Sequence, residues 1–361
     1  MLRRTPLFDR HAELGAKMAD FGGWEMPIEY TGTVAEHTAV RESVGVFDVS
    51  HMGKVAVHGP GSAAFVNSVL ANDTDRIKDG QAQYSLMCND AGGVIDDLIV
   101  YKWNDDAIYI VPNAANAATV VDALRAAAPE GIVIDDQQET HGIIAVQGPA
   151  APAVLADLGL AADIDYMSFA MATWRDHPVT ICRSGYTGEL GFELIAPNEI
   201  LGALWDALLI SAAANGGMAA GLGARDTLRT EMGYPLHGQD ISPSITPVEA
   251  GLSWAVGWDK PDFAGRAALL SQRESGPTRR LRALRAQQRA IPRAHMTVLD
   301  TSGKSIGEVT SGTFSPTLKE GIALALIDSS VGIDDDVLVD VRGKQIPFRV
   351  VKAPFAPSRV R

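Results

Sequence analysis

Apolar and polar positions alternate along this chain in two distinct periods. Short runs rich in Val, Ile, Leu and Tyr predict strands at 54–58, 92–101, 107–111, 142–146, 179–183 and 192–195, with a further one in EGIVIDD at 130–136. Apolar residues at helical spacing predict helices at 61–70, 114–128 and 200–214. Asn113 stands just ahead of the second helix, where a side-chain oxygen can cap free backbone N–H groups. Strands and helices alternate in this way to about residue 250. The short spacing over 84–111 predicts antiparallel hairpins rather than a doubly wound parallel sheet. The stretch SQRESGPTRR, 271–280, then breaks the pattern. Short strands follow it, with turn signals at 301–303, 311–312 and 342–343, which predicts a small all-β sandwich or barrel. There is no internal repeat at solenoid period.

One predicted strand is chemically anomalous. In GGVIDDLIVYKW two adjacent carboxylates, Asp96 and Asp97, interrupt an apolar run. A buried carboxylate is costly unless paired or hydrogen-bonded. Side chains alternate across a strand, so Asp96 shares a face with Val94, Leu98 and Val100. Asp97 shares the other with Ile95, Ile99 and Tyr101, and only that face carries an aromatic with a polar tip. Asp97 is therefore the residue expected in a pocket. The competing reading is a structural acid pair held by backbone or by a salt bridge.

Composition narrows the class. With 361 residues, two or three structural units are expected, and an apolar share of 46% supports ordinary cores. No apolar run is long enough to span a membrane, and the N-terminus lacks the apolar segment of a secretory signal. Cys88 and Cys182 read as free thiols in a reducing, cytoplasmic setting. A net charge of −13 argues against nucleic-acid binding by the whole chain. The local exception is Arg273, Arg279, Arg280, Arg282, Arg285, Arg289 and Arg293, with Arg266 nearby, against Glu274 alone. That stretch is either a solvated linker and strand face, or a landing patch for an acidic partner or polyanionic substrate tail.

Several chemistries lack their motifs. There is no GxxxxGK[ST], no GxSxG, no HExxH and no CxxC, so neither a covalent nucleophile nor a metal centre is indicated. GLGARD lacks the third glycine of a dinucleotide loop. Four polar features in apolar or turn settings remain. These are the Asp96–Asp97 pair, Asn113, Glu193 inside RSGYTGELGFEL, and the arginines of GARDTLR. Glu193 can accept two hydrogen bonds from a planar N–H/NH₂ edge, or it can be half of a buried Glu–Arg pair. Arg225 or Arg229 can serve as that partner or bind a carboxylate ligand.

In order along the chain, MADFGGWEMPIEY, HTAVRESVGVFDVSHMG, GGVIDDLIVYKW, NAAN, RSGYTGELGFEL, GLGARDTLR, GEVTSGTFSPTLK and APFAPS resemble the aminomethyltransferase family, the T-proteins of the glycine cleavage system. The likeness runs from Thr5 to about Arg359. WAVGWDKPDF is richer in Trp than the family pattern, and Pro112 precedes Asn113. The resemblance implies an α+β fold, a three-domain cloverleaf of two interleaved ferredoxin-like folate-binding domains and a C-terminal antiparallel β-barrel. Its expected boundaries are 1–270 for the folate-binding region, 271–280 for a linker and 281–361 for the barrel. It implies transfer of the aminomethyl carbon on lipoyl H-protein to tetrahydrofolate, in glycine catabolism and one-carbon metabolism. The products are 5,10-methylenetetrahydrofolate, ammonia and the dihydrolipoyl carrier. Asp97 matches the family's key acid, and Glu193 the residue that grips the pterin amino edge. Met52, Tyr101, Asn113, Tyr186 and Tyr234 match pocket positions, Arg225 a folate-site arginine and Arg359 the C-terminal one. The expected partners are lipoylated H-protein and tetrahydrofolate, with no nucleic acid, membrane or metal.

Same-fold alternatives are a non-catalytic folate-binding protein, the folate domain of a flavin-linked oxidase and a tetrahydrofolate-dependent sulfonium demethylase. The first carries a KGCYxGQE-like segment where this chain has RSGYTGELGFE. The second needs a fused flavin domain with GxGxxG. The third is disfavoured by the complete VFDVSHMG and GGVIDDL motifs.

Overall fold

The computed structural model describes residues 2–160 and 163–360. Two sheets and a barrel organise it. The first sheet has six strands in the order Phe169–Trp174, His177–Cys182, Gly191–Pro197, His141–Gln147, Gly45–Asp48 and Met218–Ala219. All neighbours are antiparallel except the last pair. The second sheet has five antiparallel strands in the order Gln81–Cys88, Val94–Asn104, Ala107–Val111, Val55–His58 and Val133–Asp136. All five lie in sequence between Gly45–Asp48 and His141–Gln147, which are paired with each other. One α+β unit is thus inserted into the other, as the resemblance implies.

Helices close the outer faces. Asn198–Ala214 buries Ile200, Leu201, Leu204, Trp205, Leu208 and Ala212, a stripe at helical spacing. That stripe packs with Val46, Ile144, Val146 and Leu194 of the first sheet, and with Val44 just ahead of it. Ser62–Val69 and Ala117–Ala127 cover the second sheet through Val66, Val120 and Leu124. The inner faces meet across Phe47, Tyr101, Val111, Ile143, Phe169 and Ile195. Helix Leu222–Met232 completes that layer with Ala224 and Leu228.

GLGARD is the start of this helix, and its glycine has a packing reason. A Cβ on Gly221 would stand 2.3 Å from the Ile28 carbonyl oxygen in the neighbouring hairpin strand Trp24–Glu29. The predicted all-β segment is a closed barrel in the order Arg279–Ala286, Glu320–Asp328, Ser305–Ser315, Thr297–Leu299, Asp336–Val341 and Lys344–Val351. Residues 271–280, read from sequence as a linker, carry the end of helix Arg266–Ser275 and the first residues of the barrel.

A buried ionic cluster fastens the barrel to the α+β body. Arg41 donates to Glu189 at 2.9 Å and to Glu231 at 2.8 Å. Ser315 and Thr317 of the barrel donate to the same Glu231 at 2.5 and 2.9 Å. His37 lies 3.4 Å from that carboxylate. Hydrogen bonds from these groups hold the Glu231 carboxyl down at about 2 against the pull of burial.

Candidate functional site

A cavity of about 1010 Å³ lies where both inner sheet faces and the barrel converge. Met52, Asp97, Tyr101, Asn113, Tyr186, Glu193, Arg225 and Tyr234 all line it. Arg359 does not. It sits outside, its backbone N–H donating to Gly188 at 2.7 Å and its guanidinium to the Arg41 carbonyl at 3.3 Å. It therefore backs the turn that carries Tyr186.

The strand period puts the two acids on opposite faces. Asp96 is fully buried with Val94, Leu98 and Val100, while Asp97 reaches the cavity. Asp97 accepts from the Tyr84 hydroxyl at 3.0 Å and from Asn113 Nδ2 at 2.7 Å. Asp96 accepts from the Asn113 backbone N–H at 3.0 Å, from Asn113 Nδ2 at 2.9 Å and from Asn116 Nδ2 at 2.6 Å. Asn116 Nδ2 also lies 2.9 Å from His237 Nδ1, and His237 Nε2 lies 3.0 Å from the Val94 carbonyl oxygen. That pattern is satisfied by a neutral imidazole protonated at Nε2. Asn113 thus braces the acid pair and does not cap the following helix, whose N-cap is Asn116. Burial pushes both carboxyls up, Asp96 to about 7 with the neighbouring Asp97 charge adding to the shift.

Glu193 sits in strand Gly191–Pro197 at the cavity wall. It accepts from Ser184 Oγ at 2.5 Å, and that hydroxyl lies 3.3 Å from the Tyr101 hydroxyl. Among the described residues no cation is within ion-pair distance of Glu193, so the Glu–Arg pair is not what holds it. Arg229 is instead committed to Asp226 and Asp240, both at 2.7 Å. Arg225 is half-buried over the Tyr186 ring at 4.8 Å, and its Nη1 has no hydrogen-bond partner. Burial lowers its pKa while the nearby Glu193 charge opposes that shift. An acceptor and an unspent planar donor therefore face the same space.

Gly53 lets the segment that carries Met52 touch the segment that carries Asn113. A Cβ there would stand 2.5 Å from Pro112. Lys54, buried, ties the same turn by donating to the Ser50 and Met52 carbonyls at 2.7 and 2.9 Å. Among the cavity residues that the sequence does not single out are His51, Tyr84, Ser184 and Trp254. His51 is buried edge-on to Phe21 with its Nδ1 unpartnered, and burial pushes its pKa down to about 3. Its place in VFDVSHMG, beside Met52, was the available signal. Cys88 and Cys182 are free and buried. Among the described residues no cluster of His, Cys, Asp or Glu is arranged for a metal, and no helix is long and apolar enough to cross a membrane.

Comparison with known proteins fits this arrangement. The family model of the GCVT N-terminal domain matches residues 7–260. That of the glycine cleavage T-protein C-terminal barrel domain matches residues 279–356. An aminomethyltransferase of Frankia alni is 59% identical over all of this chain and 99% of that relative. One of Mycobacterium avium is 54% identical over all of this chain and 98% of its own length. The crystal structure of glycine cleavage system aminomethyltransferase T from Bartonella henselae superposes with a TM-score of 0.94. It is 36% identical and covers 99% of both chains.

Proposed function

The chain belongs to the glycine cleavage T-protein family of aminomethyltransferases, and from that premise we propose how its cavity works. The substrate is the aminomethyl group on the lipoyl arm of an H-protein. Its carbon passes to tetrahydrofolate, giving 5,10-methylenetetrahydrofolate, ammonia and the dihydrolipoyl carrier. The observation that carries this reading is Asp97, a carboxylate fixed on the cavity wall by Tyr84 and Asn113.

The cavity suits tetrahydrofolate. It is large enough, Glu193 offers a carboxylate to a planar N–H/NH₂ edge, and Arg225 Nη1 lacks a partner. Tetrahydrofolate supplies the nucleophile through its own amine, which accounts for the missing Ser or Cys. Glu193, oriented by Ser184 and Tyr101, holds the pterin edge. Asp97 stabilises positive charge developing on the transferred carbon and takes or gives a proton as ammonia leaves. Asn113 and Tyr84 keep it from swinging. The sheets and barrel exclude water that would hydrolyse the activated carbon. A cytoplasmic setting agrees with two unpaired thiols.

The test is turnover with aminomethyl-loaded H-protein and tetrahydrofolate. Methylenetetrahydrofolate should form in step with ammonia. Ammonia released without it would place the acceptor chemistry elsewhere.

A further inference from the structure

The proposed reaction has two leaving groups, and Asp97 accounts for one. Tetrahydrofolate gives up a proton from each of its two reacting amines as their bonds to the transferred carbon form. The carbon's bonds to ammonia and to the carrier sulfur both break, and each departing group keeps the electron pair. One proton ends on ammonia and the other on the thiol, so the exchange balances without an oxidant or reductant. Asp97 serves the positive charge on the carbon and nitrogen side. A carboxylate cannot serve the sulfur, because it repels a departing thiolate. That group needs a fixed N–H or O–H donor in a site closed to water.

His51 is a cavity residue whose hydrogen bonds the fold leaves unmade. It is 2% exposed, lines the cavity beside Met52 and makes no hydrogen bond among the described residues. The large majority of buried polar side chains are bonded, so this one points to a partner from outside the chain. Its ring is held edge-on to Phe21, also of the cavity wall, with centroids 5.6 Å apart. Of the two ring nitrogens, Nδ1 is the one sealed from solvent. A proton there would be a donor with nothing to bond, so it belongs on Nε2. Burial holds the ring neutral against the Asp48 charge, with Arg225 and Lys54 assisting. Of those three charged groups Arg225 lines the cavity, so this part of the wall favours negative charge. Asp97 is close along the wall. Gly53, two residues on from His51, donates to the Pro112 carbonyl at 2.9 Å, next to the Asn113 that holds Asp97.

We propose that His51 is a catalytic donor, whose Nε2–H hydrogen-bonds the carrier sulfur and stabilises the thiolate as the carbon–sulfur bond breaks. A neutral imidazole does this without surrendering its proton. The thiolate takes up one of the two protons that the folate amines release. The inference rests on the transfer reading of the cavity and adds to it a second residue that touches the reacting atoms.

Full-length His51→Phe, His51→Gln and His51→Asn test it in single turnover with aminomethyl-loaded H-protein and saturating tetrahydrofolate. Phe keeps a ring against Phe21 but no nitrogen, and the rate should fall ~10²–10³-fold. A Gln amide reaches the Nε2 position and should restore the rate to within ~10-fold of wild type, whereas Asn reaches only Nδ1 and should not. Calorimetry should give all three the wild-type affinity for tetrahydrofolate. The aminomethyl adducts of ethanethiol and trifluoroethanethiol, alike in size, separate a chemical role from a structural one. The more acidic fluorinated thiol needs the donor less, so the His51→Phe deficit should shrink with it. A deficit equal for the two adducts overturns the inference, as does a His51→Phe rate near that of wild type. Should the Phe variant fail to fold, Gln and Asn decide, and equal rates for those two overturn it. A wild type that forms no methylenetetrahydrofolate overturns the transfer reading itself.

Discussion

At the residue scale, function turns on how few groups are left with capacity to spare. Asp96 is saturated by Asn113 and Asn116, and Arg229 by Asp226 and Asp240. Glu193 and Arg225 are not, and the proposed function uses that spare capacity to bind the folate. Replacing Glu193 by Gln exchanges a charge-assisted bond to the ligand for a neutral one, a loss of about 1.5–3 kcal/mol. Calorimetry should show weaker tetrahydrofolate binding with a smaller change in the bound-state rate. Unchanged affinity would make Glu193 only a partner of Ser184.

The acid pair also sets a pH dependence. Burial raises both carboxyls, so transfer that needs ionised Asp97 should rise as pH climbs above the ordinary carboxylate range. Stability runs the other way. Acids whose pKa is raised on folding favour the native state below ~4 and lose that contribution as pH passes their raised value. The Asp97 charge raises Asp96, so Asp97 ionises first, and Asp96→Asn should leave the rising limb of kcat/KM against pH in place. A limb that moves to lower pH would mean that an Asp96 charge holds Asp97 up.

At the scale of elements, legibility follows what local periodicity can encode. The strand period alone separates Asp96 from Asp97, and the structure puts Asp97 in the cavity. Tyr84 is invisible at that level. It reaches Asp97 from the adjacent strand Gln81–Cys88, and the bulged register between the two strands is written in no local pattern. Asn113 has the sequence of a cap, but the helix begins after Asn116, which frees its amide for the acids. Glu193 is legible as an acid within a strand. Its hold by Ser184 comes from the turn before it, which buried Gln147 pins by donating to the Ser184 and Phe192 carbonyls. Arg359 matches by motif, yet the chain end carries it past the cavity to the back of that turn.

The latch between barrel and body makes an element-scale prediction. Glu231 receives bonds from Arg41, Ser315 and Thr317, so Glu231→Gln leaves Arg41 short of a buried partner. Loss of one member of a buried pair costs about 3–5 kcal/mol. The carboxyl is lowered on folding, so its contribution is present above its ordinary value near 4.5 and fades as pH falls towards about 2. Denaturant unfolding should show a large deficit for the variant at neutral pH and a smaller one in acid. A deficit independent of pH would assign the loss to packing.

At the scale of the whole molecule, the proposed function asks an acidic enzyme to receive its substrate on a carrier protein. Arg3 and Arg4 are the exposed cations at the N-terminal end. Each is partly neutralised, Arg3 by Glu139 and Arg4 by Glu25, and each lies over an aromatic ring. Electrostatics should act mainly on association. KM for loaded H-protein should therefore rise with salt, and Arg3→Ala with Arg4→Ala should raise it at low salt. If neither salt nor the double variant moves KM, the carrier docks elsewhere. The interleaved sheets and the barrel each contribute walls to one cavity, so the central claim concerns the assembled molecule. Asp97→Asn keeps the side-chain shape and both neighbours while removing the charge. Its single-turnover rate with loaded H-protein and saturating tetrahydrofolate should fall ~10²–10⁴-fold, with unchanged unfolding and tetrahydrofolate still bound. A variant that turns over near the wild-type rate, while Asp96→Asn is inactive, would contradict the assignment of Asp97 as the acid that serves the transfer.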